Sequence, residues 1–139
     1  MSDKLLIVRR ELPAPVAYVF DALTKPELMA KWFFAGPDWS AQIDTTAKSG
    51  APYLLEMIEP GGAVTRIWGE FREVEPPKRI VFTWNSDIAE DSVVTIELTP
   101  GENDTTALVL YHALPEASHP AHTMGWNGCL ENLLRYVRN

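Results

Sequence analysis

The 139-residue chain contains a single cysteine, Cys129, so it can form no disulfide within itself and no multi-cysteine zinc site. A reducing compartment suits such a chain, and a cytoplasmic location is expected. Positive charge is also scarce: 12 Lys and Arg stand against 19 Asp and Glu, giving a formal net charge of −7 and a pI near 4.9. An acidic surface repels phosphate backbones and anionic lipid, and the longest basic run is only Arg9-Arg10, so no nucleic-acid partner is expected. Long apolar runs are missing as well. Leu5-Leu6-Ile7-Val8 is too short for a signal peptide and no other run approaches a membrane span, so no membrane insertion is expected. Gly-x-Ser-x-Gly, phosphate-loop and dinucleotide glycine patterns are absent, which removes the commonest motif-borne hydrolase and nucleotide chemistries. A triad dispersed through the fold would escape that test.

What is present is the composition of a folded domain. Hydrophobic residues make up 46% of the chain and charged residues 22%, far from the signature of disorder, and the length suits one domain over 1–139. Five tryptophans exceed what so small a core needs, which points to a cavity or a partner surface with aromatic walls. Leu5 to Leu12 alternates weakly and ends at Pro13 and Pro15, predicting a strand followed by a helix start. Val16, Val19, Phe20 and Leu23 then fall at i, i+3, i+4 and i+7, one apolar helical stripe that closes before Pro26. Thr24, with Glu27 three residues later, reads as a capping box for a second short helix from Pro26 to about Trp32.

From Trp39 onward the punctuation is that of an antiparallel sheet, with turn signals at Ser49-Gly50, Pro60-Gly61-Gly62, Pro76-Pro77, Asn85 to Asp91 and Pro100 to Asp104. Between them lie β-rich stretches: Tyr53 to Ile58, Val64 to Val74, Arg79 to Trp84, Val93 to Thr99 and Thr106 to His112. Hairpins this close in sequence leave no room for parallel crossovers. After Pro115, Trp126, Cys129 or Leu130, Leu133 and Val137 form an apolar stripe, with Glu131, Asn132, Arg135 and Arg138 away from its centre, predicting a terminal helix of about five turns. An apolar sheet face needs a cover, and only this helix is long enough to lie across it. The expected fold is α+β, a curved antiparallel sheet wrapped around a long C-terminal helix, with two short helices after the first strand. Gly125 and Gly128 inside that helix each cost about 1 kcal/mol relative to Ala, and close approach of its backbone to the sheet is the expected reason.

Four stretches, in order, carry a family resemblance. They are Leu12-Pro13-Ala14-Pro15 through Val19-Phe20-Asp21-Ala22-Leu23-Thr24; Pro26-Glu27 with Lys31-Trp32-Phe33; Gly69 to Val74 running on through Glu75-Pro76-Pro77-Lys78-Arg79-Ile80-Val81-Phe82-Thr83-Trp84; and Gly125-Trp126 with Leu130 and Leu133. Together they resemble the START-like (SRPBCC, helix-grip) superfamily. Within it, the chain is most similar to the group named after the activator of a heat-shock chaperone's ATPase, and the resemblance spans nearly the whole chain. It implies a helix-grip fold with a deep cavity between sheet and long helix, used by different members for lipids, hormones, polyketide cyclisation or aromatic substrates. Through its founding cochaperone it also implies a chaperone as an alternative partner. Fold alone does not choose among these.

Few residues carry chemistry of their own. His119 and His122 are three apart near the start of the last helix, but Pro120 between them and the lack of a third strong ligand predict no metal, leaving two solvated histidines. His112 ends a strand on the face of Leu108 and Leu110, either as a proton donor or acceptor at a cavity mouth or as a hydrogen-bonded strand-end residue. Cys129, on or beside the buried stripe, reads as a small hydrophobe rather than a nucleophile. No catalytic residue is assigned. In the strand from Val64 to Val74, Ile67, Gly69 and Phe71 share one face and Arg66, Trp68, Glu70 and Arg72 the other. The second face is either solvent, with Trp68 among paired charges, or part of a polar-rimmed cavity where Arg66 and Glu70 hold a ligand's polar group and Trp68 its ring. Glu56, between Leu54 and Ile58, poses the same choice.

Trp32, Phe33 and Phe34 plug one end of a core that in a helix-grip fold is also a cavity wall. Phe82 and Trp84 share a face with Ile80, turned towards the helix, and Trp126 lies opposite. The expected ligand-binding set is therefore Trp32, Phe34, Arg66, Trp68, Phe82, Trp84, His112, Trp126 and Leu130, unless the rings fill the space themselves. The expected function is that of a small soluble domain, monomer or homodimer, binding an apolar or aromatic small molecule between sheet and helix without metal or cofactor. Two alternatives stand beside it: a cochaperone-like module acting on a heat-shock chaperone ATPase, and a cyclase- or hydrolase-type enzyme whose cavity orients a substrate for proton transfer. An empty pocket favours the first or the last; a filled core with an exposed aromatic patch favours the cochaperone.

Overall fold

The computed structural model describes residues 3–138. Strand β1 (Lys4–Leu12) is followed by helices α1 (Val16–Thr24) and α2 (Pro26–Met29), and then by strands β2 (Ser40–Thr45), β3 (Pro52–Ile58), β4 (Val64–Glu75), β5 (Arg79–Ser86), β6 (Ala89–Pro100) and β7 (Thr106–Leu114). A 3-10 turn over Glu116–Ser118 leads into helix α3 (His119–Arg138). The strands form one seven-stranded antiparallel sheet in the order β1-β7-β6-β5-β4-β3-β2. From β2 to β7 each strand pairs with the next in sequence, as hairpin turns dictate, and β1 joins the far edge by pairing Leu6 with His112 and Val8 with Leu110. The α+β architecture expected from the pattern, and the helix-grip form implied by the resemblance, are those observed.

Strict alternation decides which face is inside. On β7, Leu108, Leu110, His112 and Leu114 are fully buried, while the residues between them are partly or wholly exposed. Ile67 and Phe71 of β4, Ile80, Phe82 and Trp84 of β5, and Val94, Ile96 and Leu98 of β6 continue this inner face, and Trp126, Cys129, Leu130, Leu133 and Val137 of α3 join them in one core cluster. Each large side chain so buried stabilises the fold by about 1.5 to 3 kcal/mol. Helix α3 therefore holds the sheet curved around it.

Local details depart from the sequence reading. Helix α2 stops at Met29 instead of running to Trp32, and Thr24 forms no capping box: its hydroxyl donates to the Phe20 carbonyl, and Lys25 precedes Pro26 at the helix start. The chain after α2 is fixed by Trp32, whose indole N–H donates to the Ala22 carbonyl of α1 at 2.8 Å. Asn132, away from the centre of the apolar stripe, is nonetheless buried; its amide donates to the carbonyls of Phe34 and Gly36 at 2.8 and 3.2 Å and ties the α2–β2 connection to α3.

The glycines of α3 divide. A β-carbon at Gly128 would lie 1.8 Å from the Ala35 carbonyl oxygen, so this glycine does permit a close approach, but to the α2–β2 connection and not to the sheet. A β-carbon at Gly125 would meet no atom within 4 Å. Close packing is not its reason.

Candidate functional site

Gly125 borders a cavity of about 340 Å³ between the sheet and α3. The sheet contributes Met57 from β3, Thr65 and Ile67 from β4, and Trp84 from β5; the helix contributes Ala121, His122, Gly125, Trp126 and Cys129. Ala35 and Trp39, held in place by Asn132 and the Gly128 contact, form a third wall. The mouth lies beside the β5–β6 turn, where Ser86, Asp87 and Ile88 meet Val64, and Ile88 and Val64 are 64% and 41% exposed. Asp87 is the one charged side chain of this lining. The volume falls at the lower end of the range for small-molecule sites.

Two of the walls are set by a buried hydrogen-bonded chain. The indole N–H of Trp126 can only donate, so at 3.0 Å it fixes His112 Nδ1 as the acceptor. His112 Nε2 must then carry the ring proton, which it donates to Ser92 Oγ at 2.9 Å, and the Ser92 hydroxyl in turn donates to the Trp84 carbonyl at 2.8 Å. Burial above all, with the nearby His122 and His119 adding to it, pushes the His112 pKa down to about 3. The ring is neutral at ordinary pH, and neither nitrogen is free to exchange protons with a ligand. His112 is thus a fully buried positioning group behind Trp84 and Trp126, and of the two readings open to it the geometry matches the hydrogen-bonded strand-end residue and not the cavity-mouth group.

His122 was expected in solvent and is instead buried against the rings of His112 and Trp84, with centroids 5.1 and 6.5 Å away. Its Nδ1 donates to the Ser118 carbonyl at 2.8 Å, while His119 Nε2 meets the carbonyls of Leu114 and Lys4. The two rings are thus committed to different backbone carbonyls, and no three His, Cys, Asp or Glu among the described residues cluster as a metal-ligand set. Cys129 lines the cavity as a neutral thiol, its pKa pushed up by burial. Trp84 is only 6% exposed, and its indole N–H has no acceptor among the described residues. Such an orphan costs about 1 to 3 kcal/mol.

Of the expected binding set, the structure brings Trp84 and Trp126 to the cavity. Trp32, Phe34, Phe82 and Leu130 are buried but line no part of it. Phe82 belongs to the other end of the gap, where it meets Tyr53 and Phe71 with ring centroids 5.7 Å away and leaves a void of only about 10 Å³. Arg66 and Trp68 lie on the outer face of the sheet: Arg66 pairs with Glu56 at 2.9 Å, and Trp68 is 45% exposed opposite Leu54. Alternation forces this, because Ile67 and Phe71 take the inner face. Sequence reasoning missed His122, Asp87, Ile88 and the role of Gly125. The glycine did carry a signal, as a helix-interior residue of poor propensity beside an apolar stripe.

The chain matches the family model described as activator of Hsp90 ATPase homolog 1-like protein over residues 13–138. It belongs to that family. This member of the activator of Hsp90 ATPase homolog 1-like family is similar in fold to several solved structures. A protein from Chromobacterium violaceum is similar at 25% identity and a TM-score of 0.85, over 97% of each chain. A protein from Nitrosomonas europaea is similar at 25% identity and a TM-score of 0.80, over 96% of this chain and 94% of that one. CalU16 from Micromonospora echinospora is similar at 26% identity and a TM-score of 0.78, over 97% of this chain and 76% of that one. No curated protein matches the chain at a significant level. Among the described residues no helix is long and apolar enough to cross a membrane.

Proposed function

We propose that this chain is a single START-like domain that binds an apolar or aromatic small molecule in the cavity between β3–β5 and α3. The observation that carries this reading is the 340 Å³ space walled by Trp84, Trp126, Trp39, Met57 and Ile67 and left open on the helix side by Gly125. A ligand-sized apolar space favours apolar guests, since burying their surface releases water from both partners. Catalysis has less support. His112 has both nitrogens engaged and the Cys129 thiol is held neutral, which leaves His122 and Asp87 as the ionisable side chains of the lining, so we read the domain as a binder, expected in the cytoplasm and without metal or organic cofactor, before an enzyme. The second reading is a chaperone partner, which has in its favour the family's name and the exposed pair Leu54 and Trp68 on the outer face.

Titration with a naphthalene-type fluorophore tests the leading reading. Wild-type protein is expected to give a saturable signal, and Gly125→Leu, which extends a side chain into the space, is expected to weaken it about tenfold or more. No saturable signal from the wild type would remove this reading and leave the chaperone partner in its place. Equal binding by both proteins would put the probe elsewhere on the molecule.

A further inference from the structure

Two walls of the cavity are regular structure, the strands β3–β5 and the helix α3, whereas the third, residues 35–39, is neither helix nor strand. Among the described residues its backbone makes one hydrogen bond of its own, from the Trp39 N–H to the Gly36 carbonyl at 3.4 Å, a length at which little is held. What fixes the segment comes from α3. Asn132 commits its amide there, donating to the carbonyls of Phe34 at 2.8 Å and Gly36 at 3.2 Å, and its Oδ1 accepts from Arg135 Nη1 at 2.9 Å, so all of its polar atoms are engaged in one orientation. One turn earlier, Gly128 lets the Ala35 carbonyl approach the helix more closely than any β-carbon allows. A third small residue acts within the segment itself. The Trp39 indole lies directly on Gly36, where a β-carbon would run into ring atoms Nε1 and Cδ1. Ala35 and Trp39 are the two residues that the segment gives to the cavity, and of these only Trp39 is bulky.

We infer that Trp39 is the specificity-determining residue of this cavity and Asn132 its positioning residue: the clamp on residues 35–39 fixes where the indole stands, and with it the breadth of the aromatic guest that is admitted. The inference rests on the small-molecule reading above and deepens it. The other bulky walls have no such freedom. Met57, Ile67 and Trp84 belong to paired strands, and Trp126 is tied to His112, so moving any of them breaks a sheet ladder or a buried hydrogen bond. Trp39 moves with a short irregular segment, and only its tether opposes that. A wall left loose would have to be ordered by each guest at a cost in affinity, whereas one held by Asn132 is in place before the guest arrives. Asn132, Gly128 and Gly36 thus converge on the placing of one ring.

Fluorescence titration of the full chain with naphthalene and with pyrene, a narrow and a broad probe of the same chemistry, reads the ratio of two affinities, which a general loss of stability does not move. In Trp39→Ala the ratio should shift about tenfold towards pyrene, and in Asn132→Ala about threefold or more in the same direction. Gly36→Ala pushes on the indole from the other side without touching α3, and it too should change the ratio about threefold. In the Trp39→Ala background neither Asn132→Ala nor Gly36→Ala should shift it further, since the ring through which both act is gone. If Trp39→Ala leaves the ratio unchanged while both probes still bind, the small-molecule reading stands and this inference is wrong. A further shift when Asn132→Ala is added to Trp39→Ala also overturns it, because the asparagine then acts by another route. If the wild type binds neither probe, the small-molecule reading falls and takes the inference with it. Should Asn132→Ala not fold, Trp39→Ala and Gly36→Ala, alone and combined, still decide.

Discussion

Tyr53, Phe71 and Phe82 converge at one end of the gap between sheet and helices, and Trp84, Trp126 and Trp39 wall the other, yet the first end holds a void of about 10 Å³ and the second one of about 340 Å³. The sheet supplies three rings at the first end and Trp84 alone at the second, where Trp126 comes from α3 and Trp39 from the α2–β2 connection. The cover differs too. Over the first end, Leu23 of α1, Met29 of α2 and Phe33 fill the space between the strands. Over the second, α3 sets Ala121, Gly125 and Cys129 beside its two rings, His122 and Trp126, and the α2–β2 connection adds Ala35 beside Trp39. The open space lies where these small residues of the cover face a sheet that offers one ring instead of three. Hydrogen bonds fix rings at both ends: at the first the Tyr53 hydroxyl donates to the Thr83 carbonyl, and at the second a longer chain runs from Trp126 through His112 and Ser92 to the Trp84 carbonyl.

The largest expected effect tests the filled end. Phe82→Ala removes a ring in contact with Tyr53, Phe71 and Trp84, and with no loose neighbour to collapse inward it should cost about 3 to 5 kcal/mol in urea unfolding. Met57→Ala at the open end should cost nearer to the 2 kcal/mol floor for such truncations, since one side of Met57 already faces the cavity. Equal losses would mean that the two ends are packed alike, and the contrast would fail.

A smaller effect comes from the hydrogen-bonded chain at the open end. The folded-state pKa of His112, about 3, lies below its ordinary value near 6.5, so between those values the unfolded chain binds the extra proton. The associated stability is complete above about pH 6.5 and is lost as pH falls, at up to about 1.4 kcal/mol per pH unit. From pH 6.5 to 5 the wild type should therefore lose roughly 1.5 kcal/mol on this account, before the carboxylates titrate. His112→Gln should be less stable at pH 7 and should show a flatter dependence over that interval. A parallel pair of curves would remove His112 as the source.

Most of the fold was legible because it depends on period and punctuation. The i, i+3, i+4, i+7 stripe of Val16 to Leu23, the turn signals between strands, and the stripe from Trp126 to Val137 each report burial through spacing alone, and every one corresponds to an element of the structure. The site was legible only where spacing also fixed depth, as for Trp84 and Trp126. Phe82 lies two residues from Trp84 on the same face, so no pattern along β5 could place one at a filled end and the other at a cavity; that depends on which residues of α1, α2 and α3 lie over each. Arg66 and Trp68 were ambiguous for the opposite reason, since a tryptophan among charges satisfies either face until the β3–β4 pairing of Glu56 with Arg66 is known. His122 resembled a surface residue because its burial comes from contacts with Trp84 and His112, remote in sequence.

The smallest effect bears most directly on why the open end is open. Glycine inside a helix costs about 1 kcal/mol relative to alanine, and a β-carbon at Gly125 would touch nothing within 4 Å. Gly125→Ala should therefore raise stability by about 0.5 to 1 kcal/mol in the absence of ligand, an unusual direction for a change at a wall residue. The same methyl narrows the cavity from the helix side, so affinity for a naphthalene-type probe should fall modestly, by about twofold to fivefold, as expected where binding rather than folding keeps a residue in place. Gly128→Ala is the control. Its β-carbon would run into the Ala35 carbonyl, and the substitution should destabilise the fold despite the identical gain in helix propensity. If Gly125→Ala stabilised the protein and left probe affinity untouched, the glycine would owe nothing to a ligand, and the space beside it would be a packing defect of α3.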